Sequence, residues 1–399
     1  MPATIILFGA FDRHNFGDLL FPHIAIALLP DRDLVVAGLA DRDLRPFGGH
    51  LVQALHPLTG DARIRGAHLM HVGGEILTCS ARQAAVMLLP NEEVGATLSY
   101  IEHQPDEERR WLRAMLGTAS PMPYVVSREQ MPDIDRIVFD AVGGVALDAL
   151  PQPWQQVVLA RLAAADTVGV RDSVTLGHLQ SGGIAAELMP DPAVMVDVLF
   201  GDSIRARAAQ APVGDALQAF PGGYIAVHLA ADFGDDATLD LVAAQLDAAV
   251  ADTGLGVVLF RAGAAPWHDD LGMLARVAAR MASSAVRLFR SLDVWDTCAL
   301  LAHSSVHAGS SLHGHIVAAA FGVPAVGLLR RDETGQFAKL AAYAVTWESP
   351  GNALVRPVDR LAEGIRGALR GDAMPRHEQR WRWVSAYREG FERLTRCLS

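Results

Sequence analysis

Cysteine is scarce in this chain: Cys79, Cys298 and Cys397 are the three present, and their spacing fits no metal motif. So small and odd a count argues against a disulfide framework and fits a reducing compartment. Long apolar runs are missing as well. A membrane span needs ~18–20 uninterrupted apolar residues, and the stretch from Ile316 to Leu329 is broken by Gly322 and Pro324. The N-terminus lacks a basic leader and a cleavage-like site, so Met1-Pro2-Ala3-Thr4 and the apolar run after it read as a first strand. Positive charge is in deficit, with a formal net charge of −11. That excludes the broad electropositive surface that neutralises nucleic-acid phosphates or grips anionic lipid. The expectation is a cytoplasmic protein with no transmembrane segment and no nucleic-acid partner. Its substrate could still hang from a membrane lipid, which would bring peripheral membrane association.

What is present is apolar sequence in plenty. The 399 residues are 51% hydrophobic and 20% charged, too long for one ordinary core and rich enough for two. Short apolar runs alternate with helix-length amphipathic stretches, the pattern of βαβ units building a parallel sheet. In the first half the spacing predicts strands at 4–9, 34–39, 68–72, 137–142 and 167–170, with helices near 51–56, 81–89 and 154–165. Between Phe200 and Gly223 the alternation falters over Pro212, Gly214, Pro221 and Gly222-Gly223, which are breaker signals. It restarts with strands at 224–229, 256–260, 306–308 and 325–328, and helices at 238–250, 271–281 and 312–321. The fold class expected is α/β, two Rossmann-like doubly wound halves facing across a cleft. The boundaries expected are 1–205, 206–375, and a final helical segment 376–399. The aromatic stripe of that segment, Trp381, Trp383, Tyr387 and Phe391, needs a surface to cover and could cross back onto the first domain.

Ligands of open α/β sheets gather at the carboxyl ends of strands, where helix N-termini offer free N–H groups. Four segments stand at such ends. The first, from Gly9 to Asp18, holds Asn15 and Asp18; its glycine spacing is not the dinucleotide fingerprint, and a cap by Asn15 or Asp18 is the plainer reading. The second, His71-Val72-Gly73-Gly74-Glu75, permits close backbone approach at its glycines and aims Glu75 at the cleft, unless it is a simple turn with a solvated glutamate. In the third, Val168-Gly169-Val170-Arg171-Asp172-Ser173, Arg171 can fork onto a carboxylate or phosphate, or Asp172 and Ser173 simply cap a helix. Asp191, held between Pro190 and Pro192, belongs with it as a rigid carboxylate or a turn residue. The fourth runs from His303 to His315. Its four histidines do not converge as zinc ligands must, because His313 and His315 at i and i+2 point apart. His313 at a strand-to-helix turn can give or take a proton at neutral pH, with Ser310, Ser311 and free N–H groups beside it to bind an anion.

Taken in order, these segments resemble the polysaccharide pyruvyl transferase family. The match lies in Asn15-x-Gly17-Asp18, Gly73-Gly74, Val170-Arg171-Asp172, Asp191-Pro192-Ala193 and Ser311-Leu312-His313-Gly314 followed by Gly322-Val323-Pro324. Each motif is short, and together they span most of the chain. The resemblance implies a GT-B-like fold and an enzyme of cell-surface glycan (exopolysaccharide) biosynthesis. Its reaction moves the enolpyruvyl unit of phosphoenolpyruvate onto two hydroxyls of a free or lipid-linked sugar, giving a ketal and phosphate. No cofactor and no metal are implied. Such chemistry needs cations for the donor's carboxylate and phosphate, an acid for its methylene carbon and a base for the hydroxyl protons. Carried over by motif, Arg171 would clamp the donor, His313 would be the acid or base, and Asn15, Asp18 and the Gly73-Gly74 turn would shape the opposite wall; Glu75 joins the expected catalytic set and Asp191 the expected substrate-binding set.

The chain departs from the family at two places. Ser311 stands where members usually carry an arginine, and Glu75 where a third glycine is frequent. Arg261, Arg330 or Arg331, near strand ends of the second half, would then have to supply the missing cation. Two other readings compete. A nucleotide-sugar glycosyltransferase would place a glutamate on the helix before the Gly-x-Pro turn, where this chain has Val317 in an apolar run from Ile316 to Phe321. A non-catalytic glycan-binding relative would explain the lost arginine but not the retained Asn15, Arg171 and His313.

Overall fold

The structure is a computed structural model that describes residues 3–330, 339–348 and 355–398. Its contacts divide the chain into two units, Met1–Pro192 with Ala265–Trp267 and Ala386–Ser399, and Ala193–Ala264 with His268–Ser385. The first break therefore precedes the expected boundary at 205. The reason is the helix Val196–Ala206, whose apolar side packs on helices Val294–Ala302 and Leu312–Ala320 of the second unit. The last long helix, Ala373–Thr395, contributes to both units, with Ala386 onward counted in the first.

The first unit holds β1 (Ile5–Phe8), β2 (Leu34–Gly38), β3 (Arg42–Asp43), β4 (Leu51–Ala54), β5 (His68–Val72), β6 (Arg136–Val142), β7 (Thr167–Val170) and β8 (Glu187–Leu188). Among the described residues they form one sheet in the order β3-β4-β2-β1-β5-β6-β7-β8, parallel except for the β3–β4 pair. Central strands β1 and β5 are buried along their whole length, which is why they read as continuous apolar runs. One expectation is corrected here: Leu51–Ala54, read as the start of a helix, is a strand, followed by a single helical turn at Leu55–Leu58. Leu51 and Gln53 point out and Val52 in, the period-two pattern of a half-buried strand near a sheet edge.

The second unit holds β9 (Tyr224–His228), β10 (Gly256–Phe260), β11 (Val286–Leu288), β12 (Val306–Gly309), β13 (Ala325–Leu329) and β14 (Val355–Pro357). They form a parallel sheet in the order β11-β10-β9-β12-β13-β14. A separate apolar core fills each unit. Phe8, Leu69, Tyr124 and Phe139 lie in the first, and Val227, Leu246, Leu259 and Ala308 in the second.

Each sheet reverses its winding direction once. In the first, β2 lies on one side of β1 and β5 on the other; in the second, β10 and β12 flank β9. The loops leaving these strands part at that point and leave a crevice at the carboxyl end, where open α/β sheets bind ligands. Two of the sequence motifs end at the first crevice, and the His303–His315 segment ends at the second. No helix among the described residues is long and apolar enough to cross a membrane.

Candidate functional site

In the first unit the loop after β1 leads into the helix Phe16–Leu28, which Asn15 caps by accepting the Gly17 N–H at 3.2 Å. Asp18, in the first turn, is buried. After β5 the backbone turns through Gly73 (φ 60°) and Gly74 (φ 82°), the left-handed region that glycine enters at no steric cost. A Cβ on Gly73 would stand 2.6 Å from the Phe21 ring, and one on Gly74 3.5 Å from Asp18 Oδ1. Asn15, Asp18, Gly73 and Gly74 thus share the crevice between β1 and β5.

Arg171 is held inward and not open to the crevice as a free donor clamp would be. Its guanidinium is 2% exposed, with one nitrogen 2.9 Å from Asp191 Oδ2 and another 2.7 Å from Glu75 Oε2. Glu75 also accepts the Val145 N–H at 2.8 Å. A cation already forked by two carboxylates and closed off from water cannot meet an incoming anion without breaking that network. Arg171, Glu75 and Asp191 thus tie together the ends of β5, β7 and the Pro190–Pro192 turn. Asp172 caps the helix Ser173–Ser181 by accepting the Thr175 N–H at 2.7 Å.

Sequence reasoning missed other members of this crevice. Asp12 Oδ2 accepts from the N–H groups of Leu39 and Ala40 at 2.6 and 3.1 Å, and Arg13 donates to the Tyr124 hydroxyl at 2.9 Å. Burial pushes Asp12 up, against the pull of Arg13 and those two N–H groups. Strand β6 carries a bulge between Phe139 and Val142, with Ala141 at φ 49°. Within the bulge, buried Asp140 offers its backbone carbonyl to the Gly73 N–H at 2.8 Å. A left-handed alanine is the kind of local strain that collects beside functional sites. His71 is structural: Val126 N–H donates to its Nε2 at 3.2 Å, Nδ1 faces the Val138 carbonyl at 3.3 Å, and burial pushes it down to about 3. With Asp12, Asp18, Glu75, Asp172 and Asp191 against Arg13 and Arg171, the charged groups here are mostly acidic.

In the second unit the four histidines go separate ways. His303 bonds the Arg205 carbonyl at 3.2 Å, His307 bonds the Ala226 carbonyl at 3.0 Å, and His315 pairs with Glu348 in a buried contact. Among the described residues no group of three or more His, Cys, Asp or Glu converges as a metal site would. His313 sits in the first turn of the helix Leu312–Ala320, 8% exposed, and Ser311 caps that helix by accepting the Gly314 N–H at 3.1 Å. Gly314 must be small: a Cβ there would lie 3.0 Å from His307 Nε2.

The crevice between β9 and β12 gathers more than the sequence suggested. His228 ends β9, paired in register with Gly309, and its Nε2 lies 2.9 Å from Asp269 Oδ2. Ser310 Oγ accepts the Ala230 N–H at 3.0 Å and stands 3.5 Å from His228 Nδ1. Arg261 follows Phe260, the register partner of His228, and its Nε is buried without a hydrogen-bond partner among the described residues. Arg330 is tied back to the Asp232 carbonyl, and Arg331 lies outside the described residues.

These features carry the motif order read from the sequence. Residues 157–332 match the polysaccharide pyruvyl transferase family model. The resemblance is shown over that stretch, which takes in Arg171, Asp191, Ser310, Ser311 and His313 and leaves the Asn15 and Gly73-Gly74 motifs outside. No curated protein matches the chain in sequence. Solved structures match it along its length at low identity. One is a UDP-forming α,α-trehalose-phosphate synthase from Burkholderia xenovorans in complex with glucose-6-phosphate (13% identical, 98% of this chain and 99% of that one, TM-score 0.52). Another is the UDP-GlcNAc 2-epimerase of Methanocaldococcus jannaschii in complex with UDP-GlcNAc and UDP (10%, 96% and 99%, TM-score 0.51). The α,α-trehalose 6-phosphate synthase of Burkholderia multivorans is similar too (13%, 98% and 93%, TM-score 0.50). These likenesses show the GT-B-like fold class and nothing of the substrate.

Proposed function

We propose that the chain is a pyruvyl transferase that moves the enolpyruvyl unit of phosphoenolpyruvate onto two hydroxyls of a sugar in cell-surface glycan synthesis. The observation that carries this reading is the matched segment's own chemistry: His313 in a helix's first turn at the carboxyl end of a parallel sheet, with Arg261 on the same edge.

The charges divide the labour. The donor is doubly anionic and needs cations, which the acidic crevice of the first unit does not offer. Arg261 and the first N–H groups of the helix Leu312–Ala320 supply them in the second unit. His313 then protonates the methylene carbon. Taken by themselves, Asn15, Asp18 and the glycine turn of the first unit are groups of the kind that hold sugar hydroxyls. No cofactor is needed, because phosphate is the leaving group and no electrons change hands.

A nucleotide-sugar transferase finds less support. Val317 and its neighbours Ile316 and Ala318 are fully buried, so that helix offers no carboxylate for a ribose. The test is phosphate release from phosphoenolpyruvate with a panel of free and lipid-linked sugars. Release is expected with at least one acceptor, and His313→Ala abolishes it. No release with any acceptor, coupled with thermal stabilisation by a uridine or guanosine diphosphate sugar, transfers the chain to the glycosyltransferase reading. Silence towards both donors leaves glycan binding without catalysis.

A further inference from the structure

We infer that Ser310, His228 and Asp269 form a proton relay, with the Ser310 hydroxyl as the group that receives the proton of the sugar hydroxyl. The inference deepens the reading above and rests on it for the identity of the substrate, though not for the relay itself.

Three observations converge. Asp269 is buried, and its Oδ2 accepts from Ala262 N–H at 2.5 Å and Gly263 N–H at 2.8 Å as well as facing His228 Nε2 at 2.9 Å. Burial alone would raise Asp269, but its pairing with His228 and the Gly263 N–H outweigh it and hold the carboxyl below its ordinary value. An ionised carboxylate only accepts, so Nε2 of His228 carries a proton towards it, and in the neutral imidazole the lone pair is the one on Nδ1. Nδ1 faces Ser310 Oγ at 3.5 Å, a long contact of the kind that tightens when substrate is bound. The Ala230 N–H occupies one lone pair of that oxygen, leaving its O–H to donate.

The second observation is place. His228 ends the strand at which the sheet reverses, and Ser310 N–H donates to the His228 carbonyl at 3.3 Å, so both stand at the crevice mouth, with Ser310 three residues before His313 in the chain. The third is exposure. The side chains of His228 and Asp269 are buried while Ser310 is only partly buried, so the serine end of the relay is the one that meets substrate. Ser310 is then catalytic, and His228 and Asp269 position and charge it.

The proton count closes. As the first sugar oxygen bonds to C2 of the enolpyruvyl unit, its proton passes to Ser310 Oγ while the serine's own proton moves to His228 Nδ1, and His313 protonates C3. When the second hydroxyl adds to C2, its proton restores His313. Phosphate leaves with the electron pair of the C2–O bond and takes up the proton stored on His228 through Ser310.

The experiment uses the full chain with 15N-labelled histidine. The wild type is expected to show an imidazole N–H resonance that disappears in His228→Gln, loses its low-field position in Asp269→Asn, and changes its Nδ1 shift in Ser310→Ala. In the phosphate-release assay, Ser310→Ala and His228→Gln are expected to lower kcat about 100-fold while KM for phosphoenolpyruvate stays within about two-fold. Ser310→Thr, which keeps the hydroxyl, is expected to retain about a tenth of the activity. A resonance indifferent to Asp269→Asn and Ser310→Ala overturns the relay whatever the donor. So does a Ser310→Ala enzyme with kcat unchanged. If the resonance responds as described and phosphoenolpyruvate is never consumed, the relay stands and the donor assignment falls.

Discussion

Tyr387, on the C-terminal helix, donates its hydroxyl to Asp140 Oδ2 at 2.8 Å and so ties residues 386–399 to the bulged strand β6 of the same unit. The bond satisfies one carboxyl oxygen, while Oδ1 is buried with no hydrogen-bond partner among the described residues. Burial pushes Asp140 up to about 7, opposed by the Tyr387 hydroxyl and helped by the charge of Asp191. Through its carbonyl the same residue fixes Gly73, so the helix's hold on Asp140 reaches the first crevice.

Stability should report that carboxyl. Its folded value lies above its unfolded one, so the native state binds the extra proton between about pH 4 and pH 7 and stability falls as pH rises through that window. Asp140→Asn keeps an acceptor for Tyr387 and removes the ionisation. Urea unfolding is expected to give the variant a gain of about 2–4 kcal/mol over wild type at pH 8 and little difference at pH 4. The difference cancels the contribution of His71, held neutral down to about 3 by burial, whose stabilisation runs the other way and is lost as pH drops. Curves that stay parallel across pH would mean that Asp140 titrates normally.

The alternation of apolar runs and helical stretches was legible because the central strands are buried on both faces and say so in Ile, Leu and Val. Elements at the margins were not. Strands β3 and β8 are two residues long, and β4 has only one inward residue that is fully buried, Val52. The site was legible as places rather than partners. Val170-Arg171-Asp172 announces a strand end, but nothing in it tells that the guanidinium turns inward to Glu75 and Asp191. His228 and Asp269 sit in segments with no glycine motif; the available signal was a lone polar residue closing an otherwise apolar central strand.

The two turn glycines should differ in what they tolerate. Both are left-handed, so alanine is strained at either, but only Gly73 has an aromatic ring where the methyl must go. Gly74→Ala is expected to cost about 1 kcal/mol and Gly73→Ala about 2–3 kcal/mol more, by overpacking against Phe21. Equal losses in thermal or urea unfolding would show that the ring moves aside freely.

Arg171 offers a sharp contrast between structure and catalysis. Arg171→Met leaves Glu75 and Asp191 facing each other without their cation, at an expected cost of about 3–5 kcal/mol in stability. Adding Glu75→Gln and Asp191→Asn to that variant removes the stranded charges and should recover part of the loss. A donor clamp would behave otherwise: stability would hardly change, and KM for phosphoenolpyruvate would climb.

Ser311 permits a gain of function to be sought. It caps the helix Leu312–Ala320 through the Gly314 N–H, and it stands where the family resemblance calls for an arginine. If Arg261 alone supplies the cation for a doubly charged donor, a second one should strengthen donor binding. Ser311→Arg forfeits the cap, at about 1 kcal/mol of stability. In return it places a guanidinium two residues before His313, at the N-terminal end of the helix. KM for phosphoenolpyruvate is expected to fall about ten-fold, since a charge-assisted hydrogen bond contributes about 1.5–3 kcal/mol. Arg261→Gln should raise it by a similar factor, and the double variant should return near wild type if both cations serve the same anion. A Ser311→Arg enzyme with unchanged KM, alongside an Arg261→Gln enzyme also unchanged, would place the donor's phosphate elsewhere.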